Sequence, residues 1–395
     1  MSGRPLISIA IPTRNRAELL RHTLEALRRQ SFGDFEVVVS DDHSSDHTVK
    51  VVREMNDPRF RLVQSPGRLN VSAHFDFAAS HCQGEYLKFM PDRLVLLPFA
   101  LEILSQVIQA TGHPLIGWHS DRYDDAEDDN RMLNVHYRSG RLLEIPSRSL
   151  LAYFYNLQEN SLGFPLATPS SSLVSRELAQ RVRQRCGGRL MPPFIGDITY
   201  PLACLALTPS FLYLDLSLMV AFGHQHSIGH NMVQRGREAF QAIVGDEPGA
   251  LQRVPCRGLF LNTNLVADDL LRMQEILPAE LAGLRLNQAL YFVALYRQLE
   301  RLAAAGVPTA RELSQVEAAY ETWRRQQAPM LPEALAEFSA RPLEIRLPRL
   351  EARQIPFQAP GGRLAPPWEG PVQVDLHCGG RNILEALDWA EAHLR

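Results

Sequence analysis

The first hundred residues alternate between short unbroken apolar runs and longer stretches in which apolar side chains recur every three or four positions. Ile7–Ile11 is one such run and ends in Pro12-Thr13-Arg14-Asn15-Arg16. Phe35–Val39 is the next and ends in Ser40-Asp41-Asp42-His43-Ser44-Ser45-Asp46. Between them Leu19, Leu20, Thr23, Leu24 and Leu27 fall on one face of a helix, and Asn15 with Glu18 has the spacing of a capping box. The pattern predicts strand, helix, strand, with polar groups delivered where both strands end. In open α/β sheets ligands bind at that edge. Asp41 and Asp42 suit either of two roles there. They can accept from N–H and hydroxyl groups of a bound nucleoside, or they can cap the turn into the next helix.

The alternation continues. Asp46 is placed to cap a second helix carrying Val49, Val52 and Met55, Phe60–Gln64 reads as a strand, residues 70–82 as a helix, and Glu85–Met90 as a strand ending at Asp92. A helix near residues 98–109 and a strand at Leu115–His119 extend the series, which is the signature of a mostly parallel sheet with crossover helices. Residues 121–140, with Asp124, Asp125, Glu127, Asp128 and Asp129, read as a solvated acidic loop. Leu142–Leu157 is expected to be helical. Gly187-Gly188 is expected to terminate a helix that follows residues 170–177, a stretch resembling a strand-to-helix segment of the family named below, and Phe194-Ile195-Gly196-Asp197 to open another over Ile198–Leu207. Beyond residue 235 the character changes. Leu265–Leu277, Leu284–Ala305 and Ala310–Gln327 have helical periodicity, the tail from Pro342 to Pro371 is rich in Pro, Gly and Arg, and short strand and helix patterns follow at Val372–Leu376 and Asn382–Leu394. The expected organisation is an α/β domain over residues 1–235 and a mainly helical region over 236–395.

Composition narrows the partners. A formal net charge of −3 offers no electrostatic case for nucleic acid. The five cysteines form no CxxC pair and no pairable framework, so reduced thiols in a cytoplasmic protein are expected. The apolar run Phe211–Phe222 contains Asp215 and is too short to span a bilayer. The expectation is a soluble protein that touches a membrane at most peripherally, with the C-terminal helices available for self-association.

Pro12-Thr13-Arg14-Asn15-Arg16 followed by Val39-Ser40-Asp41-Asp42-His43-Ser44-Ser45-Asp46 resembles the opening of the family 2 glycosyltransferases, whose common form is PTxNR followed by VxDDxSxD. The similarity is dense over residues 5–100 and thinner to about residue 230. It implies the GT-A fold and transfer of a sugar from a nucleotide-sugar donor, most commonly a UDP-sugar. A glycan, glycolipid or small-molecule hydroxyl would be the acceptor, often in polysaccharide biosynthesis. By this resemblance Pro12, Thr13, Arg14 and Asp42 are the expected nucleoside-binding residues.

Gly84-Glu85-Tyr86-Leu87-Lys88-Phe89-Met90-Pro91-Asp92-Arg93-Leu94 is similar to the family's GEYxxFLxDDD segment, in which an Asp-x-Asp pair holds a divalent cation across the diphosphate. Asp92 matches the first Asp, while Arg93 and Leu94 replace the next two. Asp92 with phosphate oxygens can hold Mn²⁺ or Mg²⁺, with His226 or its neighbour His224 as a further ligand. Alternatively Arg93 supplies the positive charge itself. Where inverting members carry an acidic residue at the start of a helix, this chain has Gly196-Asp197. Asp197 is therefore the candidate general base, with a helix cap as the competing role. The resulting expectation is an inverting glycosyltransferase. A nucleotide-sugar-binding relic without turnover is the first alternative. A sugar nucleotidyltransferase is the second, disfavoured because residues 12–16 lack a glycine-rich phosphate cradle.

Overall fold

In the computed structural model the described residues are 3–125, 131–135, 139–158, 166–192, 195–222, 249–327, 331–343, 345, 347–358, 372–375, 383–384, 387–388 and 392. The chain opens β1 (Ile7–Thr13), α1 (Ala17–Arg28), β2 (Phe35–Asp41), α2 (Thr48–Glu54), β3 (Phe60–Gln64), α3 (Val71–Ser80) and β4 (Tyr86–Phe89). The spatial order of these strands is β4-β1-β2-β3, all parallel, with Thr13 beside Asp41 in register. Ile7, Ile9 and Ile11 face one apolar core with α1, while Ala10 and Val38 face the other. Burial on both faces is why these strands read as nearly continuous apolar runs. At Gly84 the chain passes so close to β1 that an added Cβ would lie 2.6 Å from the Ser8 backbone nitrogen.

Beyond β4 the sheet becomes mixed. It continues through β5 (Leu94–Leu96), α4 (Ala100–Thr111), β6 (Leu115–Asp125), β7 (Arg131–Val135), β8 (Leu142–Pro146), α5 (Ser147–Tyr155), β9 (Ser172–Ser175), α6 (Arg176–Arg185), α7 (Gly196–Ala206) and β10 (Ser210–Phe222). β9 lies antiparallel between β4 and β6, and β10 runs parallel to β6. Two expectations change here. Residues 121–140 are not simply a loop, because β6 runs on to Asp125 and pairs antiparallel with β7. The stretch 142–157 starts as strand β8 paired with β10 and turns helical only at Ser147. Its early Leu-Leu-x-Ile run packs on the sheet, which periodicity alone does not separate from a helix.

The later helices are α8 (Asn262–Ile276), α9 (Gln288–Ala304), α10 (Ala310–Gln327) and α11 (Leu335–Ala340). α8 packs on α7 and α5, so its Leu265, Leu270 and Met273 share a core with Tyr200 and Leu202 of α7. Two short strands, β11 (Arg353–Ile355) and β12 (Val372–Asp375), add to β8 and β7 respectively. Among the described residues no helix is long and apolar enough to cross a membrane.

Candidate functional site

The carboxyl ends of β1, β2 and β4 converge. Asp92, 4% exposed, follows β4. One carboxylate oxygen accepts from Thr13 Oγ1 at 2.8 Å and the other from Arg16 Nη1 at 3.2 Å. Thr23 of α1 pins the turn beneath, its hydroxyl lying within 3.0 Å of both the Asp92 and Leu94 carbonyls. Burial raises the Asp92 carboxyl above the usual range, opposed by Arg16, Thr13 and Arg93. Arg93 is half-buried and within electrostatic reach of Asp92, Asp197 and Arg16. Burial lowers its pKa, and Arg16 pushes the same way.

The two β2 carboxylates divide the roles left open by the sequence. Asp41 accepts from the Ser44 backbone N–H at 3.2 Å and so caps its own turn. Asp42, 3% exposed, reaches the β3–α3 connection, accepting from Ser65 Oγ at 2.8 Å and from the Leu69 amide at 3.3 Å. Arg68 Nε stands 3.4 Å from its other oxygen. Pro12 and Arg14 are half-buried beside these groups at the end of β1, and Arg14 Nε is a buried donor without a hydrogen-bond partner among the described residues.

The local chain geometry differs from the capping box read in the sequence. Asn15 takes a positive φ of 51° and turns away from α1, accepting instead from the Ser45 amide at 2.7 Å. Arg16 occupies the N-cap position, its side chain making no capping hydrogen bond. Asp46 does the capping for two helices at once, taking the Ala17 amide of α1 and the Thr48 amide of α2, each at 3.0 Å.

Asp197 lies in the first turn of α7, within electrostatic reach of Arg93. The N-cap position belongs to Ile195, so the cap role expected for Asp197 falls away. Asp197 is exposed, yet desolvation in the surrounding cleft raises its carboxyl pKa, with Arg93 pulling it down. Gly196 before it packs closely on Met191, whose side chain would have to shift for an added Cβ, 2.5 Å from its Sδ.

Three neighbouring groups were not singled out by the sequence. Arg68 is legible only as a basic residue in a Ser-Pro-Gly-Arg turn after β3. His74 of α3 lies under β2, its Nε2 3.0 Å from the Ser40 carbonyl, and burial keeps it uncharged at neutral pH. Lys88, one of two lysines in the chain, is fully buried. It donates to the Ser170 carbonyl at 2.5 Å and lies 4.7 Å from the Trp118 ring centre, and burial pushes its pKa down to about 7.

The described donor set does not fit a divalent cation. Both Asp92 oxygens are engaged, one by a guanidinium, and Leu94 is an apolar side chain 3% exposed in β5. Among the described residues no three His, Cys, Asp or Glu side chains are grouped to hold a metal. His224 and His226 lie outside the described residues.

A sheet that is parallel at its centre and gathers carboxylates and guanidiniums at its carboxyl edge belongs to the class of α/β folds that take ligands at strand ends. Residues 8–183 match the model of Glycosyl transferase family 2. It is 32% identical over 105 residues to a GalNAc(5)-diNAcBac-PP-undecaprenol beta-1,3-glucosyltransferase of Campylobacter jejuni, covering 26% of this chain and 34% of that protein. It is 58% identical over 60 residues to a validoxylamine A glucosyltransferase of Streptomyces hygroscopicus, covering 15% of this chain and 14% of that one. The chain thus spans less than two thirds of the length of these curated relatives. Among solved structures, Staphylococcus aureus TarS 1–349 in complex with UDP-GlcNAc superposes with a TM-score of 0.49 at 16% identity, covering 82% of this chain and 93% of that one.

Proposed function

We propose that the protein is a glycosyltransferase that moves a sugar from a nucleotide-sugar donor, a UDP-sugar, to a hydroxyl group of a glycan, glycolipid or small molecule. The observation that carries this reading is the match of residues 8–183 to the family 2 model together with Arg16 and Arg93 beside Asp92 and Asp197 within electrostatic reach of Arg93. The names of two partial relatives, both glucosyltransferases, support a hexose donor.

In this reading Pro12, Thr13, Arg14 and Asp42, with Arg68, hold the nucleoside. An Asp42 oxygen has lone pairs for a base N–H beyond those it gives to Ser65 and Leu69. The Arg14 Nε donor gains a partner when ligand arrives. Arg93, backed by Arg16 and Asp92, faces the diphosphate and offsets the charge that develops as the bond from the anomeric carbon to the phosphate oxygen breaks. The acceptor hydroxyl attacks that carbon from the opposite side, and its proton passes to the Asp197 carboxylate. One C–O bond forms as another breaks, and the configuration inverts.

A panel of nucleotide sugars, each assayed for nucleoside diphosphate release, tests this directly. The wild type is expected to release UDP, and Asp197→Asn to lose about 10²–10⁴-fold in kcat with donor KM little changed. Near-normal turnover in Asp197→Asn removes Asp197 as base. Binding without release marks a relic that holds nucleotide sugars without turnover, and pyrophosphate release marks a nucleotidyltransferase.

A further inference from the structure

The segment that delivers Asp197 is held from outside by two acidic side chains. Asp76 of α3 accepts from the Leu190 amide at 2.8 Å and from the Met191 amide at 3.1 Å. Asp269 of α8, 1% exposed, accepts from the Ile195 amide at 3.1 Å. Within the segment, Thr199 Oγ1 donates to the Pro192 carbonyl at 2.9 Å. The first turn of α7 needs such support. Pro201 lies inside this helix and has no N–H to give the Asp197 carbonyl four residues earlier. Gly196 adds no side chain to the packing on Met191.

A carboxyl group is an expensive way to satisfy one backbone amide in an apolar core. Asp269 is buried in α8, and burial drives its carboxyl pKa well above the ordinary range, Asp268 adding to this while the Ile195 amide, Arg272 and Arg253 oppose it. Asp76 is likewise pushed up, to about 6, by burial. Both accept from backbone amides of Leu190, Met191 or Ile195, immediately before the helix that carries the proposed base.

We infer that Asp76 and Asp269 are a pair of positioning residues that clamp residues 190–195 and thereby fix Asp197 in the cleft, making α8 of the C-terminal region a working part of the transfer site. The inference rests on the reading of Asp197 as base. It assigns α8 the task of holding a catalytic helix.

The test uses the full-length protein, with the nucleotide sugar that the panel selects (UDP-glucose tried first) and water as acceptor. Asp269→Ala is expected to lower kcat for UDP release by about 10- to 100-fold, the scale of a misplaced reacting group, with UDP affinity unchanged by calorimetry. Asp269→Asn keeps an oxygen for the Ile195 amide and should recover most of the loss. The Asp197→Asn/Asp269→Ala double variant should be no slower than Asp197→Asn alone, because the clamp acts through Asp197. Hydrogen exchange of the peptide spanning residues 190–200 should accelerate in Asp269→Ala and in Asp76→Ala, and stay slow in Asp197→Asn. Unchanged exchange or unchanged kcat in a folded Asp269→Ala variant overturns the clamp, as does full additivity in the double variant. Should Asp197→Asn keep its turnover, the base assignment fails by itself, and the exchange data with the Asp269→Ala rate still decide whether the segment is clamped.

Discussion

Arg93→Ala isolates the question of what balances the leaving diphosphate. Arg93 is half-buried, beside Asp92 and Asp197, with Arg16 adding a second positive charge from the end of β1. A hydrogen bond to a charged group is worth about 1.5–3 kcal/mol net, so removing the guanidinium should weaken UDP binding by roughly 10- to 150-fold. Arg93→Lys keeps the charge but loses the planar fork and should recover only part of that. The assay is calorimetric titration of UDP into the full-length protein, first in chelator and then with Mn²⁺ added. The wild type is expected to bind UDP in chelator, with at most a small gain from Mn²⁺. Two results refute the reasoning. One is a wild type that binds only when Mn²⁺ is present. The other is Arg93→Ala binding in chelator as tightly as the wild type.

Two further predictions follow from neighbouring geometry. Asp42→Ala should lower UDP affinity by about tenfold or more through loss of a charged acceptor, and calorimetry showing wild-type affinity would reduce Asp42 to holding the loop at Ser65–Leu69. Lys88 makes stability depend on pH: its folded pKa is depressed to about 7, so between about pH 7 and the ordinary lysine range the unfolded chain binds more protons and stability rises with pH. Urea unfolding at pH 7 and pH 9 should show this rise in the wild type and a smaller one in Lys88→Met, and equal slopes in the two proteins would show that Lys88 stays charged when folded.

The sequence carried the elements that depend on local pattern. β1, α1, β2 and β3 lie where apolar runs and periodicity put them, because buried parallel strands and amphipathic helices each write one pattern. The edge residues Thr13, Asp42 and Asp92 were legible because strand ends fall next to polar motifs. What was not legible depends on partners distant in sequence. The Asn15 capping reading failed because Ser45, thirty residues later, donates to that side chain, Ser44 Oγ takes the Asn15 backbone N–H, and Asp46 takes over the cap. Residues 142–146 pair with β10, and no local signal announces that pairing. The grip of Asp269 on Ile195 spans 74 residues. The burial of Lys88 likewise depends on distant partners, the Trp118 ring and the Ser170 carbonyl.

The altered segment after β4 has its own charge logic. In the GEYxxFLxDDD form that this segment resembles, three carboxylates and one divalent cation leave a local formal charge of minus one. Here Asp92 contributes one negative charge, Arg93 one positive and Leu94 none, for a sum of zero without any ion. The two arrangements therefore present nearly the same local charge to a diphosphate. Adding a divalent cation to this chain would raise the sum to plus two next to Arg16, whose guanidinium already occupies one Asp92 oxygen. At about 4 Å and an effective dielectric near 20, each pair of unit charges interacts by roughly 4 kcal/mol, so at equal distances the repulsion from two guanidiniums is about twice the attraction of the single carboxylate. The replacement of Asp by Arg at position 93 and the loss of the carboxylate at position 94 thus act together. In the proposed reading, either change alone would leave the diphosphate seat unbalanced, whereas both together put its positive charge on the chain.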